Sequence, residues 1–350
     1  MGPARHTTRY VLIETANPVM RINEAFPAYE SLRHPRCQQI RRRYRLDGVV
    51  RGETDEFRRI LLLRHWIKQH IRISNAHPTP AREDAFSILD AALDGGGFHC
   101  AHFSLVQQAV YNSFGYVTRR LGAGPGLNEP GKWGHHGVNE VWVNPLCKWV
   151  LVDAKYDFHF EKCGLPLSAL ETRDELLADG GQSVRLAAGP DRRLQQKPPK
   201  GIGTYRWISW EVTPSFTDFP NHSSSGLIVY EDDFFRNNVW YRDGAPHWAY
   251  AADFFIPVRH RSWIEWTPNV IASRVDITGD RARVAITSCT PNLLTYQVRR
   301  QVCRGEGAWR GCGDRLDLSL GKSGIGLSLR SMNLAGATGP EHTIEIRPVL

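Results

Sequence analysis

No stretch of this 350-residue chain approaches the roughly eighteen consecutive apolar residues that a membrane-spanning helix needs, so none is expected. No C-x-x-C pair occurs among the seven cysteines, which stand at 37, 100, 147, 163, 289, 303 and 312. That absence argues against a structural zinc site and against a thioredoxin-like redox motif. There is no internal repeat, which removes solenoids and propellers. Residues 1–20 hold two arginines and only the short apolar stretch Tyr10 to Ile13, which does not read as a secretory signal; a chain exported with its signal removed would look the same. The compartment therefore stays open, as does the oligomeric state.

The composition is that of a folding chain: 41% hydrophobic and 23% charged residues exclude disorder and a coiled coil. Lys and Arg number 44 against 36 Asp and Glu, a net charge of +8, which favours acidic partners and says nothing about fold. The densest basic run, Arg41 to Arg43, reads as a solvated helix face. With no zinc-finger spacing or RNA-binding signature beside it, neither nucleic acid nor a membrane is expected as partner. An odd number of cysteines leaves at least one thiol unpaired. Cys303 and Cys312 flank a Gly-rich turn and are either a hairpin bridge or two free thiols.

Along the chain, Phe57, Ile60, Leu61, Leu63, Trp66 and Ile67 recur at helical spacing, with Thr54 as the N-cap of a helix reaching His70. Ala81 to Leu93 reads as a second helix, stopped by Asp94-Gly95-Gly96-Gly97. A third runs from Cys100 to Ser113, its stripe made by Phe103, Val106 and Val110 and its end by Gly115. Val138 to Val143 and Trp149 to Asp153 are strand-like runs joined by a tight turn. Leu165 to Asp179 is helical again, and Ala187 to Gly203, rich in Pro, Gly, Lys and Arg, is the best linker candidate or equally a surface loop within one domain. From Asn269 onward, about six short strands at regular spacing predict an immunoglobulin-like sandwich. The expected domains are a core with an N-terminal extension over 1–200, a mostly-β aromatic-rich region over 201–268 and the sandwich over 269–350.

The chemistry gathers at three places. A nucleophilic cysteine needs a lowered pKa, and a helix N-terminus supplies it; Cys100 stands there behind three glycines. His136 precedes one strand of the hairpin and Asp153 ends the other. With Asn144-Pro145 as the two-residue turn they face each other directly; a turn one residue later makes them diagonal neighbours. Thiol, imidazole and carboxylate are what acyl transfer through a thioester requires.

The order of these motifs resembles the transglutaminase-like superfamily, in the form of a bacterial-type member with a C-terminal β-sandwich. The likeness is carried by Gly95-Gly96-Gly97-Phe98-His99-Cys100, by His136 with Glu140-Val141-Trp142, and by Trp149-Val150-Leu151-Val152-Asp153. It implies a papain-like α+β core, helices packed on a small antiparallel sheet, over about residues 54 to 175. It also implies Cys100 as thiolate, His136 as base and then acid, and Asp153 as orienter of the imidazole. No metal and no cofactor is expected, since adjacent His135 and His136 on a strand point to opposite faces and cannot both ligate one ion easily. The glycanase branch of that superfamily carries C-x-x-C zinc pairs and is disfavoured.

Further candidates surround the triad. His99, His135, Tyr156, Lys155 and Trp133 are read as substrate-binding or alternative catalytic groups, with Trp66 and Trp133 the guesses for an oxyanion donor. The expected substrate is a peptide or protein amide. A rival keeps the fold and changes the chemistry: a lyase cleaving an acidic, uronate-containing polysaccharide by β-elimination, with Tyr156 or His136 as base and Lys155 neutralising the carboxylate. A third reading is a non-catalytic carbohydrate- or peptide-binding protein.

Overall fold

The computed structural model of the chain describes residues 8–13, 15–26, 31–74, 84–125, 136–195, 201–211, 226–237, 241–242, 245–246, 255–302 and 305–349. They form two units, Glu24–Glu265 and Met1–Asn23 with Trp266–Leu350. Among the described residues no helix is long and apolar enough to cross a membrane.

The first unit is built on a ten-stranded sheet. Its strands lie in the spatial order Arg193–Leu194, Arg185–Ala188, Phe158–Lys162, Lys148–Asp153, His136–Val143, Thr118–Gly124, Trp207–Glu211, Leu227–Tyr230 and Phe255–Val258, with Leu165–Pro166 beside Phe158–Lys162. Neighbours are antiparallel except the last two in that order, which run parallel. Side chains alternate across the central strands. Val141, Val143, Val150 and Val152 pack with Ile40, Ile60, Leu89 and Val106 of the helices on one face, while Leu121, Val138 and Leu151 join Leu170 and Trp210 in the cluster on the other.

Helix starts follow the side chain able to accept from the first turn. The helix Glu56–His70 begins under Asp55, whose carboxylate accepts from the Arg58 N–H at 2.6 Å. The cap is thus Asp55 and not Thr54. Asp84 caps Ala85–Leu93, so that helix starts beyond Ala81; residues 81–83 lie outside the described residues. Leu165 is not helical: Leu165–Pro166 is a short strand, and the helix Ala169–Asp179 begins at the capping box of Ser168 and Glu171.

The hairpin turn falls one residue later than Asn144-Pro145. Asn144–Leu146 form a 3₁₀ turn, Cys147 takes φ +50°, and Trp142 faces Trp149. Glu56 fixes this turn by accepting from the Asn144 N–H at 2.7 Å and from its amide nitrogen at 3.0 Å. Two other readings also change. Ala187 to Gly203 is no linker where it is described: Arg185–Ala188 and Arg193–Leu194 pair as edge strands, and Ile202–Tyr205 is a 3₁₀ turn. Gly189 and Pro190 stand in the turn between those two edge strands. Within 201–268, Trp207–Glu211 pairs with Thr118–Gly124 and so extends the core's own sheet.

A buried ion pair ties the central strands together. Glu140 accepts from Arg119 Nε at 2.9 Å and Nη2 at 2.7 Å, from Trp210 Nε1 at 2.9 Å and from the Ala169 N–H at 2.6 Å. The Arg119 guanidinium lies 3.9 Å from the Trp149 ring centroid. Removing one partner strands the other charge in the core. Arg119→Met is therefore expected to cost about 3–5 kcal/mol in urea unfolding, and a cost below about 1 kcal/mol would contradict this account of the pair.

In the second unit, the sheet Ile271–Thr278, Arg281–Ser288 and Arg315–Ser319 shares a core with a six-stranded sheet. Ala282, Val284, Ile286 and Leu318 from the first meet Leu327, Leu329, Ile344 and Ile346 from the second. Strict alternation of buried and exposed positions in Arg281–Ser288 gives one solvent face and one core face. Tyr10–Ile13 completes this unit by pairing with His342–Pro348, a partnership with no local signal in the sequence. Cys312 is a free thiol opposite Tyr296, while Cys303 lies outside the described residues.

Candidate active site

The helix Cys100–Ser113 is buried along its length from His102 onward, which explains why its polar side chains have internal partners. Gln107 donates to the Tyr111 hydroxyl at 3.1 Å, which donates to the Ile60 carbonyl at 2.9 Å. Ser104 Oγ donates to the Val138 carbonyl at 3.0 Å, and Asn139 Nδ2 donates to the Ser104 carbonyl at 3.1 Å. These bonds hold the cysteine helix at a fixed height against the strand His136–Val143. His99 is the N-cap, its Nδ1 accepting from the Ala101 N–H at 3.3 Å. Cys100 is the first helical residue, at the positive end of the helix dipole and half-buried.

Strand and helix touch at Gly137. A Cβ there would stand 3.2 Å from both the nitrogen and the Cα of Ala101, so a larger residue would need strand and helix to part by a few tenths of an ångström. Gly137→Ala is expected to move His136 away from Cys100 and slow alkylation of that thiol about tenfold; an unchanged rate would show that the contact has slack.

His136 and Asp153 are diagonal neighbours, since Asn139 faces Val152 and the register places Asp153 opposite Val138. They share one face and meet, Nε2 to Oδ2 at 2.6 Å. The other carboxylate oxygen of Asp153 accepts from the Tyr156 N–H at 3.0 Å. Burial alone would lower the pKa of His136. The charge and hydrogen bond of Asp153, joined by a hydrogen bond with the Cys100 side chain, outweigh it and raise the imidazole to about 9. With Nε2 engaged by Asp153, Nδ1 is the ring nitrogen left for the sulfur.

Around this chain of bonds, the Tyr156 ring lies 5.6 Å from the His136 ring and is half exposed. Lys155 is buried with its ammonium 5.1 Å from the Tyr156 ring centroid. Trp66 stacks on His70 at 4.3 Å and lies against Tyr44 in the helical layer. Trp133 and His135 lie outside the described residues. Two features escaped the sequence. Tyr205, fully buried, packs edge-on to His136 at 6.3 Å, and burial followed by the nearness of Asp153 raises its pKa well above the usual 10. Arg64 bonds Asp157 at 2.8 Å and His159 at 3.0 Å, and His159 bonds Glu161 at 2.7 Å. Among the described residues no group of three or more His, Cys, Asp or Glu is arranged to hold a metal ion.

Residues 43–154 match the family model described as transglutaminase-like superfamily. No curated protein matches the chain. A solved structure from Cytophaga hutchinsonii, provisionally titled a cysteine protease, is similar at 15% identity and a TM-score of 0.28. That likeness covers 60% of this chain and 57% of the other, so the chain spans a little over half of that protein's length.

Proposed function

Because residues 43–154 are a transglutaminase-like core, we propose that the chain is a cysteine enzyme cleaving or transferring acyl groups through Cys100, His136 and Asp153. The observation that carries this reading is the continuous chain of hydrogen bonds from the Cys100 thiol through His136 to the Asp153 carboxylate. An imidazole with its pKa raised to about 9 is protonated at neutral pH, and an imidazolium hydrogen-bonded to a sulfur at a helix N-terminus favours the thiolate. The nucleophile of this reading is that thiolate.

The thiolate attacks the carbonyl carbon, and the new oxyanion forms beside the first turn of the cysteine helix, where N–H groups and the dipole favour negative charge. His136 delivers its Nδ1 proton to the leaving nitrogen, the C–N bond breaks and a thioester remains on Cys100. Water or an amine then gives its proton back to His136 as it attacks, and the thiolate leaves. Asp153 keeps the ring oriented throughout. We also read the two-sheet unit of Trp266–Leu350 with Tyr10–Ile13 as an immunoglobulin-like sandwich with no catalytic part.

β-Elimination from an acidic polysaccharide would use Tyr156 and Lys155 but leaves the Cys100–His136 bond without a task. Incubation with a panel of peptide amides and activated esters, quenched in acid and read by intact mass, tests the acyl reading: an acyl adduct on Cys100, absent in Cys100→Ala, is expected. An absorbance rise from unsaturated uronide that survives Cys100→Ala and is lost in Tyr156→Phe would replace acyl transfer with the lyase.

A further inference from the structure

Asp153 and the turn that follows it carry two acids and one cation, and among the described residues only the acids have charged or hydrogen-bonding partners. Asp153 is committed to His136 and to the Tyr156 N–H, and Asp157 to Arg64 and His65. Lys155 stands between them with 8% of its surface exposed. Among the described residues no carboxylate or other acceptor meets its ammonium, whose contact is the face of Tyr156. An ammonium on a largely buried side chain is left without an anion, and a ring face stabilises it only in part. Tyr156 in turn lies against the His136 ring, so the uncommitted cation is one aromatic ring away from the imidazole.

We propose that the cleft takes acyl donors bearing a free carboxylate beside the reacting carbonyl, and that Lys155 pairs with that carboxylate. This rests on the acyl-transfer reading above and gives it a substrate class: an acidic side chain next to the bond that is broken. Tyr156 covers the pair on one side, keeping water from screening it. Lys155 selects and positions the donor and takes no part in moving the proton.

Two alkylating reagents of nearly equal size separate charge from reactivity. Iodoacetate and iodoacetamide both form the C–S bond as iodide leaves, and they differ in carrying a carboxylate or a neutral amide. Their rates at Cys100 are read by peptide mass spectrometry. Lys155→Met is expected to lower the iodoacetate-to-iodoacetamide rate ratio about five- to tenfold, the size of a charge interaction across a partly buried cleft. Lys155→Arg should hold the ratio within about twofold, since it keeps the charge. An unchanged ratio in Lys155→Met, or an equal fall in both variants, overturns the proposal. In the unaltered chain, millimolar glutarate should slow iodoacetamide labelling of Cys100 while glutaramide does not; equal effects of the two also overturn it. Failure of the underlying reading looks different: in the unaltered chain iodoacetamide would then label Cys100 no faster than the other thiols, and the proposal falls with it.

Discussion

Alkylation of Cys100 by iodoacetamide at pH 5 is expected to slow about tenfold to a hundredfold when His136 is replaced by alanine. An unassisted thiol is about 0.03% ionised at that pH. One paired with an imidazolium at a helix N-terminus is ionised to roughly half or more. The gain in thiolate is about three orders of magnitude, and the weaker nucleophilicity of a more acidic thiolate cancels one to two of them. The remainder is the expected effect. Cys147 and Cys312, whose thiols burial pushes up, serve as internal references and should label at the same rate in both proteins. A His136→Ala protein whose Cys100 reacts as fast as before would mean that the helix alone activates the sulfur.

Asp153→Asn should abolish a pH-dependent share of stability. Folding raises the pKa of His136 from its ordinary 6.5 to about 9. A raised pKa means that the folded state binds the proton more tightly than the unfolded one. The stabilisation is therefore complete below pH 6.5 and disappears as pH rises through 9. Its size is roughly 3 kcal/mol, at about 1.4 kcal/mol for each pKa unit. Urea midpoints measured at pH 6 and above pH 9 should differ accordingly in the unaltered protein. In Asp153→Asn the charge that holds the proton is gone, burial prevails and this contribution should vanish. A variant that keeps the same pH dependence would place the raised pKa elsewhere, and the histidine resonances followed by NMR would show where.

What the sequence discloses about this site depends on how local the cause is. The cysteine helix runs from Cys100 to Ser113 as its apolar stripe and flanking glycines predict, because a glycine-led start and a Gly115 stop are written within the helix and its flanks. The two hairpin strands are legible for the same reason, since β-branched and aromatic residues alternate between two buried faces. The register is less so. One residue of difference in the turn is decided by Glu56, 88 residues away in the chain, reaching the Asn144 amide. Even so, a one-residue change in turn position shifts the pairing by two, which keeps His136 and Asp153 on one face and converts facing partners into diagonal ones.

Other parts had no local signature at all. Tyr205 follows a segment whose Pro, Gly and Lys content suggests a linker, and it reaches His136 only because Trp207–Glu211 pairs with Thr118–Gly124. The Arg64–Asp157 pair joins a helix to a turn 93 residues later, and in sequence Arg64 is one more basic residue on an amphipathic helix. Tyr10–Ile13 joins the far end of the chain, 332 or more residues on, with nothing in its own four residues to announce it. Glu140 reads as part of a motif beside His136. In the fold its carboxylate is spent on Arg119, Trp210 and the Ala169 N–H, which makes it a structural anchor of the strand that carries the imidazole.

The most direct test of the central claim is the rate of iodoacetamide reaction at Cys100, resolved by peptide and followed from pH 4 to pH 10. A thiolate already paired with His136 predicts substantial reaction well on the acid side of neutrality, where the other thiols are silent. A single rise at the ordinary thiol pKa of about 8.5, matching the other cysteines, would contradict it.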